Sequence, residues 1–205
     1  MENLFEQTLE KIVADDHLHA KLLNTLSLME NVGARKISKY EHPVNVNLTI
    51  LKHAAEEARH AFYLKKQIGK LGEDLCPDYN FEYLLAPVVS YQYLHQLDAK
   101  ACRYLYNRGL KGRSMHDAAY ILVTYAIEVR ADSLYDTYQK VLTANDSKVN
   151  VKSIILEEAG HLEEMTRMLK EFDDNWQPIA EDVCKIEDEL HQQWIKGLAK
   201  TVGLN

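Results

Sequence analysis

The chain has 205 residues, 46% of them hydrophobic, with four prolines and eight glycines, which suits one helix-rich domain over residues 1–205. Thirty-one acidic against 24 basic side chains leave a formal net charge of −7, arguing against a nucleic-acid or anionic-membrane partner. Three scattered cysteines offer neither a disulfide framework nor zinc-ligand spacing, no apolar run reaches membrane-spanning length, and no basic-then-apolar leader opens the chain, so a cytoplasmic protein is expected.

Helical periodicity dominates nearly everywhere. A first helix is predicted over residues 4–39, with Gly33 a point of local loosening and His42-Pro43 its end, since the residue before proline avoids the helical region. A second is expected over 45–70. Gly69, Gly72, Cys76-Pro77 and Asp78 then mark a loop. A third helix is predicted over 81–107, with Pro87 near its start or kinking it. Basic residues Arg103, Arg108, Lys111 and Arg113 surround the next loop and read as a solvated cluster. Ser114 is the expected cap of a helix reaching residue 144. The short turn Asn145-Asp146-Ser147 makes its neighbours antiparallel, a further helix covers 149–172, and residues 173–178 separate it from a last helix ending near Gly203.

Within this frame one pattern occurs twice. Glu30 precedes Glu57-Ala-Arg-His60, and Glu128 precedes Glu158-Ala-Gly-His161, at separations of 27 (30 to 57) and 30 (128 to 158) positions. A Glu and a His three residues apart on a helix project from one face, so both can reach one ion. The carboxylates also lie where leucines belong. Glu57 is centred in the stripe Ile50, Ala54, Ala61, Leu64, Ile68; Glu30 sits among Leu23, Leu26, Ala34, Ile37; Glu158 among Ile154, Leu162, Met165, Leu169. Glu128 shares its face with Ile121, Tyr125 and Tyr135, with Asp132 one turn on. An uncompensated buried charge costs several kcal/mol, of the order that threatens a domain stable by about 5–15 kcal/mol. Two divalent cations would neutralise four carboxylates, and two imidazoles add neutral ligands. The remaining histidines lack this setting and read as surface or core residues, with His53, one turn before Glu57, the ambiguous case. Glu163 and Glu164 read as a solvated face.

This ligand set resembles that of the ferritin-like di-iron carboxylate superfamily, in which a Glu from each of two helices joins a Glu-x-x-His from each of the other two. The resemblance covers residues 29–169. It implies an all-α, ferritin-like antiparallel four-helix bundle, with a long crossover carrying an extra helix and an additional C-terminal helix. It implies two Fe ions, with Mn or mixed Fe/Mn as variants, held by Glu30, Glu57, His60, Glu128, Glu158 and His161, with Glu57 and Glu158 bridging. The run Glu56-Glu57-Ala58-Arg59-His60 is similar to a di-iron oxygenase signature in which the acid before the ligand holds the opposite histidine by its second nitrogen. By that likeness Glu56 and Glu157 support the histidines, with Asp132 a competitor for the role. Gly160 stands where the second repeat would carry arginine.

Within the superfamily, the absence of Cys-x-x-Cys departs from rubrerythrin-type peroxidases, and the extra helices depart from storage cages. The layout is most similar to compact single-chain oxygenases such as aldehyde-deformylating oxygenases and the ferritin-like tRNA hydroxylase, and the acidic balance speaks against a tRNA substrate. The expected function is therefore a di-iron oxidoreductase that activates O2 to oxidise or hydroxylate a small apolar substrate. The alternative is a ferroxidase without an organic substrate. An electron-donor protein and a homodimer are the macromolecular partners left open.

Overall fold

A computed structural model describes residues 2–204. Among them the secondary structure is entirely helical: α1 (Glu2–Val13), α2 (Asp16–Tyr40), α3 (Leu48–Gln67), α4 (Pro87–Asn107), α5 (Gly112–Ala144), α6 (Lys152–Phe172) and α7 (Trp176–Thr201), with short 3-10 turns at Ile68–Lys70 and Phe81–Tyr83. No helix among the described residues is long and apolar enough to cross a membrane.

The predicted first helix is in fact two. Asp15 adopts an extended conformation, and its carboxylate accepts hydrogen bonds from the backbone N–H groups of His17 and Leu18 at 2.9 and 3.0 Å. That cap starts α2 afresh, because a side-chain oxygen satisfies the N–H groups that lack an intrahelical partner. Gly33 remains helical within α2. Asn47 caps α3 in the same way, through Thr49 and Ile50. The helix predicted from residue 81 begins only at Pro87, which occupies the first helical position, where its missing N–H costs nothing. Ser114 does not cap α5. It lies inside the first turn and donates its hydroxyl to the carbonyl of Lys111. The basic cluster of Arg103, Arg108, Lys111 and Arg113 is exposed, as expected.

Pairings between helices give their directions. Ser27 bonds to the carbonyl of Ala61, while Ile37 packs with Ile50, so α2 and α3 run antiparallel. Along α3 and α6, His53 meets Glu164, Glu56 meets His161 and His60 meets Glu157, an antiparallel register held over two turns. Between α3 and α5 the chain makes a long crossover that carries α4. Its first part is fastened to α2: Asn24 donates to the carbonyls of Asp78 and Tyr83, and Thr25 accepts from the Leu85 N–H.

Helix α7 closes the molecule against α4 and α5. Gly197 is required there, since a Cβ at that position would lie 2.4 Å from a methyl of Val89 on α4. Nearby, Trp194 is fully buried and donates its indole N–H to Ser90 at 3.0 Å. Arg130 on α5 makes a bidentate bond to the buried Glu187 on α7, at 2.9 and 3.0 Å, and also reaches Asp188. Such a paired, hydrogen-bonded charge is the form in which a buried carboxylate is tolerated. The apolar core runs from Leu9, Ile12 and Leu23 through Tyr138 and Leu142 to Leu198, with a second cluster around Leu105, Leu122, Met165 and Val183.

Candidate metal centre

The two repeats converge between α2, α3, α5 and α6. Glu57, Glu128, Glu158 and His161 form one group of potential ligands and Glu30, Glu57 and His60 a second, with donor atoms in each group within 4.8 Å of one another. Glu57 belongs to both. All six residues are brought together, and five are buried, none of those more than 8% exposed; Glu30 is half-buried.

The apolar stripes explain why these charges are inside. Glu57 occupies a core position of α3 between Ala54 and Ala61, and Glu158 lies one turn from Ile154. The helices cannot bury their stripes without burying the carboxylates. Once buried, they face one another. Glu57 directs one oxygen to each histidine, at 3.9 Å from His60 Nδ1 and 3.7 Å from His161 Nδ1. Glu158 does likewise at 3.1 and 3.6 Å. Both carboxylates therefore span the space between the two imidazoles.

The opposite ring nitrogens are spoken for. His60 Nε2 bonds to Glu157 and His161 Nε2 to Glu56, each at 2.8 Å. These are the crossed pairs that the oxygenase likeness implies, and they turn both Nδ1 atoms toward the cluster. A single arginine serves both acids: Arg59 lies 2.5 Å from Glu157 and 3.7 Å from Glu56. Gly160 therefore leaves Glu56 short of an arginine of its own, but not of a cation, with Lys52 also 3.9 Å away. Asp132 is a correction. It is exposed, because the inward face of α5 continues from Glu128 through Ala131 to Tyr135. It plays no part beside the histidines.

The electrostatics show how poorly the cluster tolerates its own charge. Burial and the neighbouring Glu30 push the Glu57 carboxyl well above the usual carboxylate range. Burial does the same to Glu128, against the pull of His161. Burial also opposes ionisation of Glu158, but the imidazoles of His161 and His60 beside it outweigh burial and hold that carboxyl well below its ordinary value. Burial disfavours the charged form of His161, yet Glu128 and Glu158 raise it to about 11. Without a cation, protons must stand in for one.

Even so, atoms remain unsatisfied. His60 Nδ1, His161 Nδ1 and one oxygen of Glu128 are buried without a hydrogen-bond partner. Buried polar atoms in native proteins are almost always paired. Orphaned nitrogen and oxygen atoms pointing into one space, in a set of four carboxylates and two imidazoles, match what borderline divalent metals take as ligands. The donor set fits two such ions.

Three features beside the cluster escape sequence reading. Tyr135, buried on α5, donates its hydroxyl to Glu30; its place two turns beyond Glu128 on the same face is the only signal it offers. His53 is buried, pairs with Glu164 at 2.7 Å and lies against the ring of His161, so Glu164 is no mere solvated residue. The third is a cavity of about 150 Å3 between α2, α4 and α5. Glu30, Glu57, Glu128 and Glu158 line it together with a largely apolar set that includes Leu26, Met29, Leu97, Val123 and Leu134.

No protein-family model matches the chain, and comparisons with curated proteins and with solved structures find no match either.

Proposed function

We propose that this chain is a ferritin-like four-helix protein, built on α2, α3, α5 and α6, that holds two iron ions and uses O2 to oxidise or hydroxylate a small apolar substrate. The observation that carries the reading is the position of the cavity. Apolar walls meet the carboxylate cluster directly, on the side of Glu30 and Glu128. An iron-handling protein needs no such chamber, and its presence favours an organic substrate over ferroxidase activity.

When bound, two ferrous ions supply the electrons and the Lewis acidity for O2 chemistry. The chain supplies the rest. Glu57 and Glu158, which lie between the two imidazoles, would hold the ions, while Glu56 and Glu157 fix the histidine rings so that Nδ1 faces inward. Tyr135 restrains Glu30 and keeps a hydroxyl proton at that carboxylate. Leu26, Leu97, Val123 and Leu134 exclude water and leave room for a substrate against the Glu30–Glu128 side.

The discriminating experiment is anaerobic loading with Fe(II) followed by a pulse of O2. Saturation at two irons per chain, with O2 uptake that stops there unless reductant and substrate are supplied, is the expected result. Continued uptake with every further addition of Fe(II), accompanied by mineral, would transfer the protein to the ferroxidase class.

A further inference from the structure

The cavity also carries information about what it takes. Its volume, about 150 Å3, equals that of an apolar cavity known to admit benzene, so it suits a ligand of about six to eight non-hydrogen atoms. Its charges are more telling. Outside the carboxylate cluster the charged residues in its wall are Lys36, Asp98 and Arg130. Arg130 is committed to Glu187 and Asp188. Lys36 is bonded to Asp98 and, at 2.9 Å, to the carbonyl of Leu94. With the four carboxylates neutralised by two divalent ions, the wall presents no charge that a ligand could pair with.

Lys36 and Asp98 are, with Ile127, among the more exposed residues of the cavity lining. Their side chains are 39% and 41% exposed, whereas Glu57, Glu128 and Glu158, also in the lining, are buried. The pair ties α2 to α4, across 62 positions of chain. Both partners line the cavity, one from α2 and the other from α4, so parting them would widen the way in between these two helices. A half-exposed pair of this kind is weakly held and can open readily.

We infer that the substrate is an uncharged, compact apolar molecule admitted between α2 and α4 past the Lys36–Asp98 pair, which acts as a charge filter. This rests on the metal-centre reading, because the filter argument needs the four carboxylates neutralised. A charged ligand would lose its hydration without gaining a partner, a penalty that weakens binding by roughly a hundredfold or more.

Four probes of one ring size separate the possibilities: toluene, benzyl alcohol, benzoate and benzylammonium. Binding to the Fe(II)-loaded full chain, kept anaerobic, is followed by ligand-observed NMR and calorimetry, with metal content determined on the same samples. Toluene and benzyl alcohol are expected to bind, and the two ions to bind at least about a hundredfold more weakly. Asp98→Asn frees Lys36 and should strengthen benzoate by up to about fivefold; Lys36→Met should do the same for benzylammonium. Both substitutions lie at a half-exposed site, and retained helicity and metal content show that each variant is folded. Benzoate binding to the unaltered chain as tightly as toluene would overturn the inference, making Lys36 an anchor for an anionic substrate. Two bound irons with no affinity for any probe would overturn it too, while leaving the metal centre standing. Failure to bind iron would instead defeat the metal centre itself, whatever the probes do.

Discussion

The two walls of the carboxylate cluster differ in kind. On the α3–α6 wall, three histidine–carboxylate pairs follow one antiparallel register, braced at the surface by Lys52 and Arg59. The Nε2 atom of each of the three rings has a carboxylate partner. The α2–α5 wall has almost none of this. It offers Glu30, Glu128 and Tyr135, then opens into an apolar cavity. One wall is organised to hold its side chains still, and the other to leave space. In a metal centre these duties conflict, since rigid ligands crowd the ions while open positions weaken their grip. In the proposed centre, dividing them between two helix pairs would remove the conflict.

The sharpest way to break this comparison is to remove a spanning carboxylate. Glu57→Ala or Glu158→Ala should abolish two-ion binding and with it the thermal stabilisation by Fe(II), expected in the unaltered chain at roughly 3 kcal/mol when the metal stands at a hundred times its dissociation constant. The metal-free variants should differ: Glu57→Ala removes a carboxyl that burial and Glu30 keep protonated and should leave the balance of charges little changed, whereas Glu158→Ala strips both imidazoles of a charged partner and should destabilise the chain. Thermal scans with and without Fe(II) test both halves of this expectation.

Loss of a support on the α3–α6 wall should be milder. Glu56→Ala or Glu157→Ala is expected to weaken iron by about 10–100-fold while leaving the helices intact. A substitution on the other wall should separate the two duties. Val123→Phe fills part of the cavity, so it should suppress substrate oxidation and leave iron stoichiometry unchanged; parallel loss of both would contradict the division.

Much of the α3–α6 wall is legible in the sequence, and much of the α2–α5 wall is not. Glu-x-x-His is a local pattern, and helical periodicity alone places both residues on one buried face. The cavity depends on how α4 lies across α2 and α5, which no spacing within one helix records. The same limit hides the Arg130–Glu187 and Lys36–Asp98 pairs, whose partners come from distant helices. Asp132 misleads for a related reason. It lies four residues from Glu128, and the buried face of α5 passes to Ala131 and Tyr135 instead. The break before α2 is a local event that the apolar rhythm masks, because Leu9, Ile12 and Val13 lead almost without interruption into Leu22 and Leu23; only the capping carboxylate of Asp15 marks it.

Away from the cluster, two buried histidines provide a pH test that spares the metal site. Burial lowers His19 to about 4, and burial with the charge of Arg130 lowers His191 to about 3, from an ordinary value of 6.5. Both are neutral when folded, so the unfolded chain binds more protons as the pH falls. Stability from these groups is full above pH 6.5 and declines through the window down to about 4 for His19 and about 3 for His191. The slope should be about 1 kcal/mol per pH unit for each. In metal-free protein, His19→Gln should flatten the decline between pH 6.5 and 4 by that amount, measured by urea unfolding at each pH. The smallest effect belongs to Asp132→Ala, which should change iron affinity and stability by no more than about 0.5 kcal/mol, as befits an exposed residue.

The paired metal centre itself is most directly tested by anomalous diffraction at the iron edge from crystals of the Fe(II)-loaded chain. Two adjacent peaks are expected, both contacted by Glu57 and Glu158, one beside His60 Nδ1 and one beside His161 Nδ1. A single peak, or iron bound only at surface carboxylates, would contradict it.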